Sequence, residues 1–364
     1  MPKLMLKTAF AAIALTLGAS YAQADELRLY SWSDYIGSKA IPAFTAETGT
    51  KVVYDVFDNN EVVETKMLAG KSGYDVVTPN LSPHFARQLA AGIWAPLDKS
   101  KLGNIGNIDA GILAKLAGFD PGNAHGVPWM WGTTGLIVNT GKVRDLVPDA
   151  PIDSWRLVFD PAIAGKLAKC GIVMLDDAEQ VLGSVLISMG KPADTDDPAE
   201  LAAAVEVLKK VVPFVRKFHS SEYITGLATG EYCVALGFSG DALIAASRSK
   251  EGAKGFDIQY RIPKEGALVY TDVLAVPKDA PNPAAANAFI NTLMRPEIAA
   301  AAANETGFAT ANREAMKLVP AELTGNPNLY PPAEVVKRLT LPKVHSQKVL
   351  RAWQDAWLQA KGLK

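Results

Sequence analysis

Polar and apolar residues alternate along residues 26–30 (ELRLY), which predicts a strand running into the polar turn Ser31-Trp32-Ser33-Asp34-Tyr35. A helical spacing follows to about Glu47 and is closed by Gly49. Residues 51–57 (KVVYDVF) predict a second strand, and Asn60 is positioned to cap a helix that reaches Ala69 and stops at Gly70. Residues 74–78 (YDVVT) predict a third, apolar strand, with a helix over about 83–91. This strand–helix order implies a mostly parallel sheet with helices on both faces, where ligands sit beyond the carboxyl ends of the strands. The aromatic, turn-rich stretch 126–135 leads into a strand at 136–139 and suits a crossing between domains. A second strand–helix region follows, with strands at 170–175 and 233–238 around a long helix over about 198–217. Strand patterns return over 256–277, and helices dominate the remainder.

The first 24 residues have a different character. Lys3 and Lys7 precede a short apolar stretch, residues 9–18, and Ala22-Gln23-Ala24 is a small-x-small cleavage site. This is the pattern of a secretory signal peptide (1–24), and no Cys near the cleavage site invites a lipid anchor. A chain of 364 residues, 49% hydrophobic and 21% charged, has the length of two domains with full cores. Its formal net charge of −1 gives no general field for nucleic acid. Export also bears on Cys170 and Cys233, the only cysteines: one disulfide is the economical expectation in an oxidising compartment, with two separately buried thiols as the alternative.

Catalytic and cofactor motifs fail on inspection. Ala69-Gly70-Lys71-Ser72 lacks the glycine that a phosphate loop needs at position 65, which is Thr. Gly237-Phe238-Ser239-Gly240-Asp241 lacks the second glycine of a nucleophile elbow, and no Gly-x-Gly-x-x-Gly follows a strand. His84, His125, His219 and His345 are isolated, so no zinc spacing exists and no cofactor is implied. An exported α/β protein of this kind reads as a binder rather than an enzyme; a hydrolase on a similar fold is the rival.

Four segments join an aromatic to an acidic or polar side chain at a strand end: Trp32 to Tyr35, Phe238 to Asp241, Tyr270 to Asp272, and Asn304 to Phe308. A dry pocket for a primary ammonium needs such parts, because a buried cation requires carboxylates and acceptors for three N–H groups. Aromatic faces attract cations and cover methylene chains. The alternative for Ser33, Asp34 or Asp241 is simple helix capping.

The chain resembles, over nearly its whole mature length, the periplasmic polyamine-binding proteins of ABC importers, nearest the putrescine-binding type. The resemblance rests on residues 32–36 (WSDYI), 51–58 (KVVYDVFD), 97–100 (LDKS), 153–155 (DSW), 218–221 (FHSS), 262–267 (IPKEGA) and 330–333 (YPPA). It implies an α/β, two-lobe clamshell of the type II solute-binding class, each lobe a mostly parallel sheet flanked by helices. Residues 25–130 plus about 250–306 would form the N-lobe, and about 133–247 plus 312–364 the C-lobe. The ligand set it implies is Trp32, Ser33, Asp34, Tyr35, Ser82, Gln180, Phe238, Asp241, Tyr270, Asp272 and Phe308, with Asn80 an alternative to Ser82. Cys170 and Cys233 match the family's disulfide pair. Where the putrescine type has a binding Glu this chain has Gln180, with Glu179 just before it, so one amine end loses a counter-charge unless Glu179 takes the role. Phe238 stands where that type has Trp. The implied partners are a polyamine, an inner-membrane permease and its cytoplasmic ATPase, for a monomer in the periplasm. A different small organic cation or amino compound, or ligand sensing for a membrane receptor, keeps the same fold.

Overall fold

Leu27 and Leu29 turn into the core while Glu26 and Arg28 stay outside, so the alternation at the start of the mature chain does become a strand. In the computed structural model, which describes residues 26–362, the described residues form one sheet of eleven strands. These are β1 (Glu26–Trp32), β2 (Lys51–Phe57), β3 (Val76–Val77), β4 (Gly126–Asn139), β5 (Ile172–Met174), β6 (Val215–Phe218), β7 (Val234–Phe238), β8 (Ile258–Arg261), β9 (Ala267–Ala275), β10 (Ala309–Thr310) and β11 (Leu339–Thr340). The expected signal peptide lies outside the described residues.

The main strand order is β2-β1-β3-β9-β4-β7-β5-β6. Its two ends, β2-β1-β3 and β7-β5-β6, are the parallel sheets expected from the strand–helix alternation. The middle is antiparallel: β9 pairs with β3 and β4, and β4 with β7. The aromatic stretch expected as a crossing, residues 126–135, makes up most of the 14-residue β4, which runs from one parallel set to the other. Its register against β9 shifts between Pro128 and Trp131, where proline removes a ladder donor.

Two local expectations changed. Asn59, not Asn60, caps helix Asn60–Ala69 by accepting from the Val62 amide. Asn60 is thereby freed to accept from the Asn80 amide at 3.1 Å. The long helix stops at Val211 rather than Lys217, because a short turn carrying Pro213 leads into β6. Gly49 does end helix Ala40–Thr48, in the left-handed conformation glycine favours (φ 71°).

One core cluster gathers Leu136, Trp155, Val173, Leu186, Leu236 and Trp353, and it also takes Ile258, Tyr260 and Leu268. A second gathers Leu27, Phe44, Trp129, Phe289 and Ile290, and a third, smaller one Tyr30, Phe57, Val63 and Phe85. Phe238 packs against both of the larger clusters, so the end of β7 lies at their junction.

Cys170 and Cys233 form the disulfide, with Cα atoms 5.5 Å apart and 63 positions apart in sequence. It ties the turn before β5 to the residue just before β7. Constraining a loop of this length in the unfolded chain stabilises a protein by about 2–4 kcal/mol. The double variant Cys170→Ser/Cys233→Ser is therefore expected to lose that much in a urea unfolding curve while keeping its ligand site.

Candidate functional site

The carboxyl ends of β1 and β7 and the middle of β9 converge on a narrow internal slot of about 40 Å³. Every residue expected at the ligand site lines it except Asp34 and Ser82. β1 delivers Trp32 and then Ser33 and Tyr35; β7 ends on Phe238, and the first turn of helix Ser239–Glu251 brings Asp241. β9 supplies Tyr270 and Asp272, on the same face two residues apart. Phe308 arrives just before β10 and rests on that first turn: a Cβ on Gly240 would come within 2.6 Å of its ring. Glycine is needed there for the ring to cover the helix start beside Asp241.

The aromatic rings make a continuous wall. Trp32 lies 4.6 Å from Phe57 and 6.2 Å from Phe238 between centroids, Phe238 lies 5.2 Å from Tyr270, and Tyr35 lies 5.1 Å from Phe308. Two acids sit among them. The Asp272 Oδ2 accepts from the Tyr35 hydroxyl at 2.6 Å, and Asp241 accepts from the Tyr223 hydroxyl. Burial pushes both carboxyls up to about 7; Tyr223 and Arg248 pull Asp241 back, and Tyr35 and Asn80 do so for Asp272. Burial also holds Tyr35 and Tyr223 well above the usual phenol range, so both stay protonated as donors. The Asp272 Oδ1 and the Tyr270 hydroxyl are buried with no hydrogen-bond partner among the described residues. Both residues line the slot, and each leaves an acceptor unclaimed.

The far wall was largely missed by sequence reasoning. Phe57 ends β2 and Asp58 follows it, and Ser220 and Ser221 follow the end of β6, joined by Asn60, Asn80, Asp177 and Ile224. The carboxyl-end rule for α/β sheets points at both strand ends, had it been applied to every strand. Asp177 caps helix Ala178–Ser188 by accepting from the Gln180 amide at 2.9 Å, and burial pushes its carboxyl up. The lining thus carries four carboxylates (Asp58, Asp177, Asp241 and Asp272) and, among the described residues, no Lys, Arg or His.

Asp34 is turned out of the slot. Its backbone is left-handed (φ 55°), its side chain pairs with Arg248 at 2.8 Å, and it lines a neighbouring open pocket with Ser38, Glu251 and Glu305. Ser82 is buried, but its hydroxyl donates to the Pro342 carbonyl, and Asn80 lines the slot from this loop instead. Gln180 lines the slot with Oε1 accepting from the Thr134 hydroxyl at 2.5 Å. Glu179 faces the other way, 3.9 Å from both His84 Nε2 and Arg87 Nη1, so it does not stand in for the missing carboxylate. No group of three metal-ligating side chains exists among the described residues. None of the helices described is long and apolar enough to cross a membrane.

Comparison with known proteins agrees with this geometry. Residues 39–331 match the family model described as bacterial extracellular solute-binding protein. The chain is 46% identical over 360 residues to the putrescine-binding periplasmic protein SpuD of Pseudomonas aeruginosa, covering 97% of this chain and 98% of that one. It is 43% identical over 356 residues to the putrescine-binding periplasmic protein PotF of Escherichia coli, covering 97% and 96%. Among solved structures, the spermidine/putrescine ABC transporter substrate-binding protein PotD of Streptococcus pneumoniae superposes with a TM-score of 0.73 at 30% identity, covering 93% of this chain and 99% of that one.

Proposed function

This chain belongs to the bacterial extracellular solute-binding proteins, and on that premise we propose that it captures an unbranched aliphatic polyamine of the putrescine class. The carrying observation is a slot with four carboxylates, no basic residue and an aromatic wall. A primary ammonium needs three acceptors when water is excluded. Asp241, the Asp272 Oδ1 and the Tyr270 hydroxyl supply them at one end. The rings of Trp32, Phe238 and Phe308 cover the methylene chain, and cation–π attraction adds about 0.5–2 kcal/mol per contact. Asp58 and Asp177 draw a second ammonium toward the far end.

In this reading the chain is exported by its leader to the periplasm and works there as a monomer. It hands the amine to an inner-membrane permease powered by a cytoplasmic ATPase. The slot lies between two lobes built on residues 25–130 and about 250–306, and on about 133–247 and 312–364. The packing of Ile258, Tyr260 and Leu268 supports moving the 256–268 segment into the second lobe. The lobes then swing on β4, β9 and the segment near Phe308. Ligand holds them closed by binding the closed form more tightly than the open one.

A thermal-shift panel of putrescine, cadaverine, agmatine, spermidine and γ-aminobutyrate tests the proposal. Stabilisation by the dications and none by γ-aminobutyrate is expected; no shift with any amine would overturn it. Gln180→Glu adds a counter-charge beside the second ammonium. Exchanging a neutral for a charge-assisted hydrogen bond adds about 1–1.5 kcal/mol, roughly a tenfold gain in putrescine affinity by calorimetry. An unchanged affinity would remove Gln180 from the account of specificity.

A further inference from the structure

Behind the slot lies a second charged assembly that shares only Asp177 with the slot lining. Glu61 and Glu64 on helix Asn60–Ala69, with His84 and Arg87 from the following segment, face Asp177 and Glu179 at the start of helix Ala178–Ser188. Arg87 is committed to Glu64, its Nε donating at 2.8 Å and its Nη2 also bonded there. Its remaining Nη1 is buried without a hydrogen bond and lies 3.9 Å from Glu179 Oε1. His84 stands between Glu64 at 3.5 Å and Glu179 at 3.9 Å. The Glu61 Oε2 is buried with no hydrogen-bond partner among the described residues. Four carboxylates therefore share one guanidinium and one imidazole.

Two lysines on neighbouring elements are engaged elsewhere. Lys66, on the same helix as Glu61, is turned over the rings of Tyr30 and Tyr74 at 5.2 Å. Lys361 is taken by Asp176 at 2.7 Å. Asp58, which precedes the helix, adds a further negative charge on the slot side. The two sets of acids come from elements near opposite ends of the sheet, beside β2 and beside β5, and meet across the slot.

We propose that closing the lobes over a bound amine takes up a proton at this contact, so that capture is coupled to pH through Glu61 and Glu179. The inference rests on the amine reading above. A bound ammonium pairs with Asp177 from the slot side and keeps it ionised, which leaves Glu61 and Glu179 as the groups that carry the proton. Burial pushes Glu61 up to about 8 and Glu179 well above the ordinary range, with the Asp177 charge adding to both. Burial also acts on Glu64, but hydrogen bonds from His84 and Arg87 outweigh it and hold that carboxyl down at about 2. A carboxyl whose closed-state pKa is raised favours closure at low pH and opposes it as pH rises through that value.

The experiment is calorimetric titration of putrescine at pH 7 and pH 9 into the wild type and Glu61→Gln, with Glu179→Gln as a second variant. The amine's own loss of charge is common to all three proteins and cancels. The loss of affinity from pH 7 to pH 9 is expected to be roughly tenfold larger in the wild type than in either variant, as for one group titrating near pH 8. Titration of the wild type at pH 8 in two buffers of different ionisation enthalpy should also register net proton uptake. Binding with equal pH ratios in all three proteins, or with no proton uptake, overturns this coupling and leaves the amine reading standing. Absence of binding at either pH overturns both.

Discussion

Asp272→Asn is expected to weaken putrescine binding by about a hundredfold to a thousandfold, and Asp241→Asn by a similar factor. Each removes one charge from a buried pairing, a change that costs about 2–5 kcal/mol when the partner charge stays desolvated. Asp272 carries the larger burden, because its Oδ1 has no other partner among the described residues while Oδ2 is held by Tyr35. Asparagine keeps the shape and can still accept from Tyr35, so the loss reports charge rather than collapse of the wall. The effect on the unliganded protein should have the opposite sign. Both acids are buried and both titrate near 7, so at pH 8 the empty slot holds two desolvated charges. Removing either one stabilises the empty protein, and its melting temperature should rise by a few degrees as affinity falls. A structural aspartate would lower both. If Asp272→Asn binds putrescine like the wild type, the slot is not the amine site.

What could be read from the chain, and what could not, follows from the geometry of strand ends. Trp32, Phe238, Asp241, Tyr270 and Asp272 stand out as aromatics with an acid close by in sequence, and all five line the slot, although Tyr270 and Asp272 lie in the middle of β9 rather than at a strand's end. Asp34 carries the same signal, but its left-handed backbone swings the side chain toward Arg248, some 214 positions away in sequence. Spacing alone cannot foresee such a pairing. Asn60 was misread by one position: its neighbour Asn59 does the capping, which leaves Asn60 to the slot. Asp177 hides for a related reason, since it caps a helix and lines the slot at once. The fold was clearer, because periodicity marks parallel strands well. The antiparallel joins made by β4 and β9 depend on which strands meet across the chain, and no local pattern records that.

Between pH 5 and pH 8 the two site carboxylates should make putrescine stabilise the protein progressively more. Burial raises Asp241 and Asp272 to about 7 in the empty slot. Below that value they hold protons and offer a cation little; above it they ionise and need one. An aliphatic ammonium, with a pKa of roughly 10, stays charged throughout this range. The sign for the empty protein is opposite. A carboxyl raised above its ordinary value contributes stability that is present at low pH and lost as pH rises through about 7. Melting temperature without ligand should therefore fall from pH 5 to pH 8 while the increment from saturating putrescine grows. Each group sets a limit of about a hundredfold in affinity between pH 8 and pH 5, so the pair together could change it by up to about ten-thousandfold. A putrescine increment that stays flat from pH 5 to pH 8 would contradict the pairing at Asp241 and Asp272. The growth of the increment on the acid side should weaken in Asp272→Asn and persist in Glu61→Gln, which would separate the charge that binds the amine from the charge that governs closure.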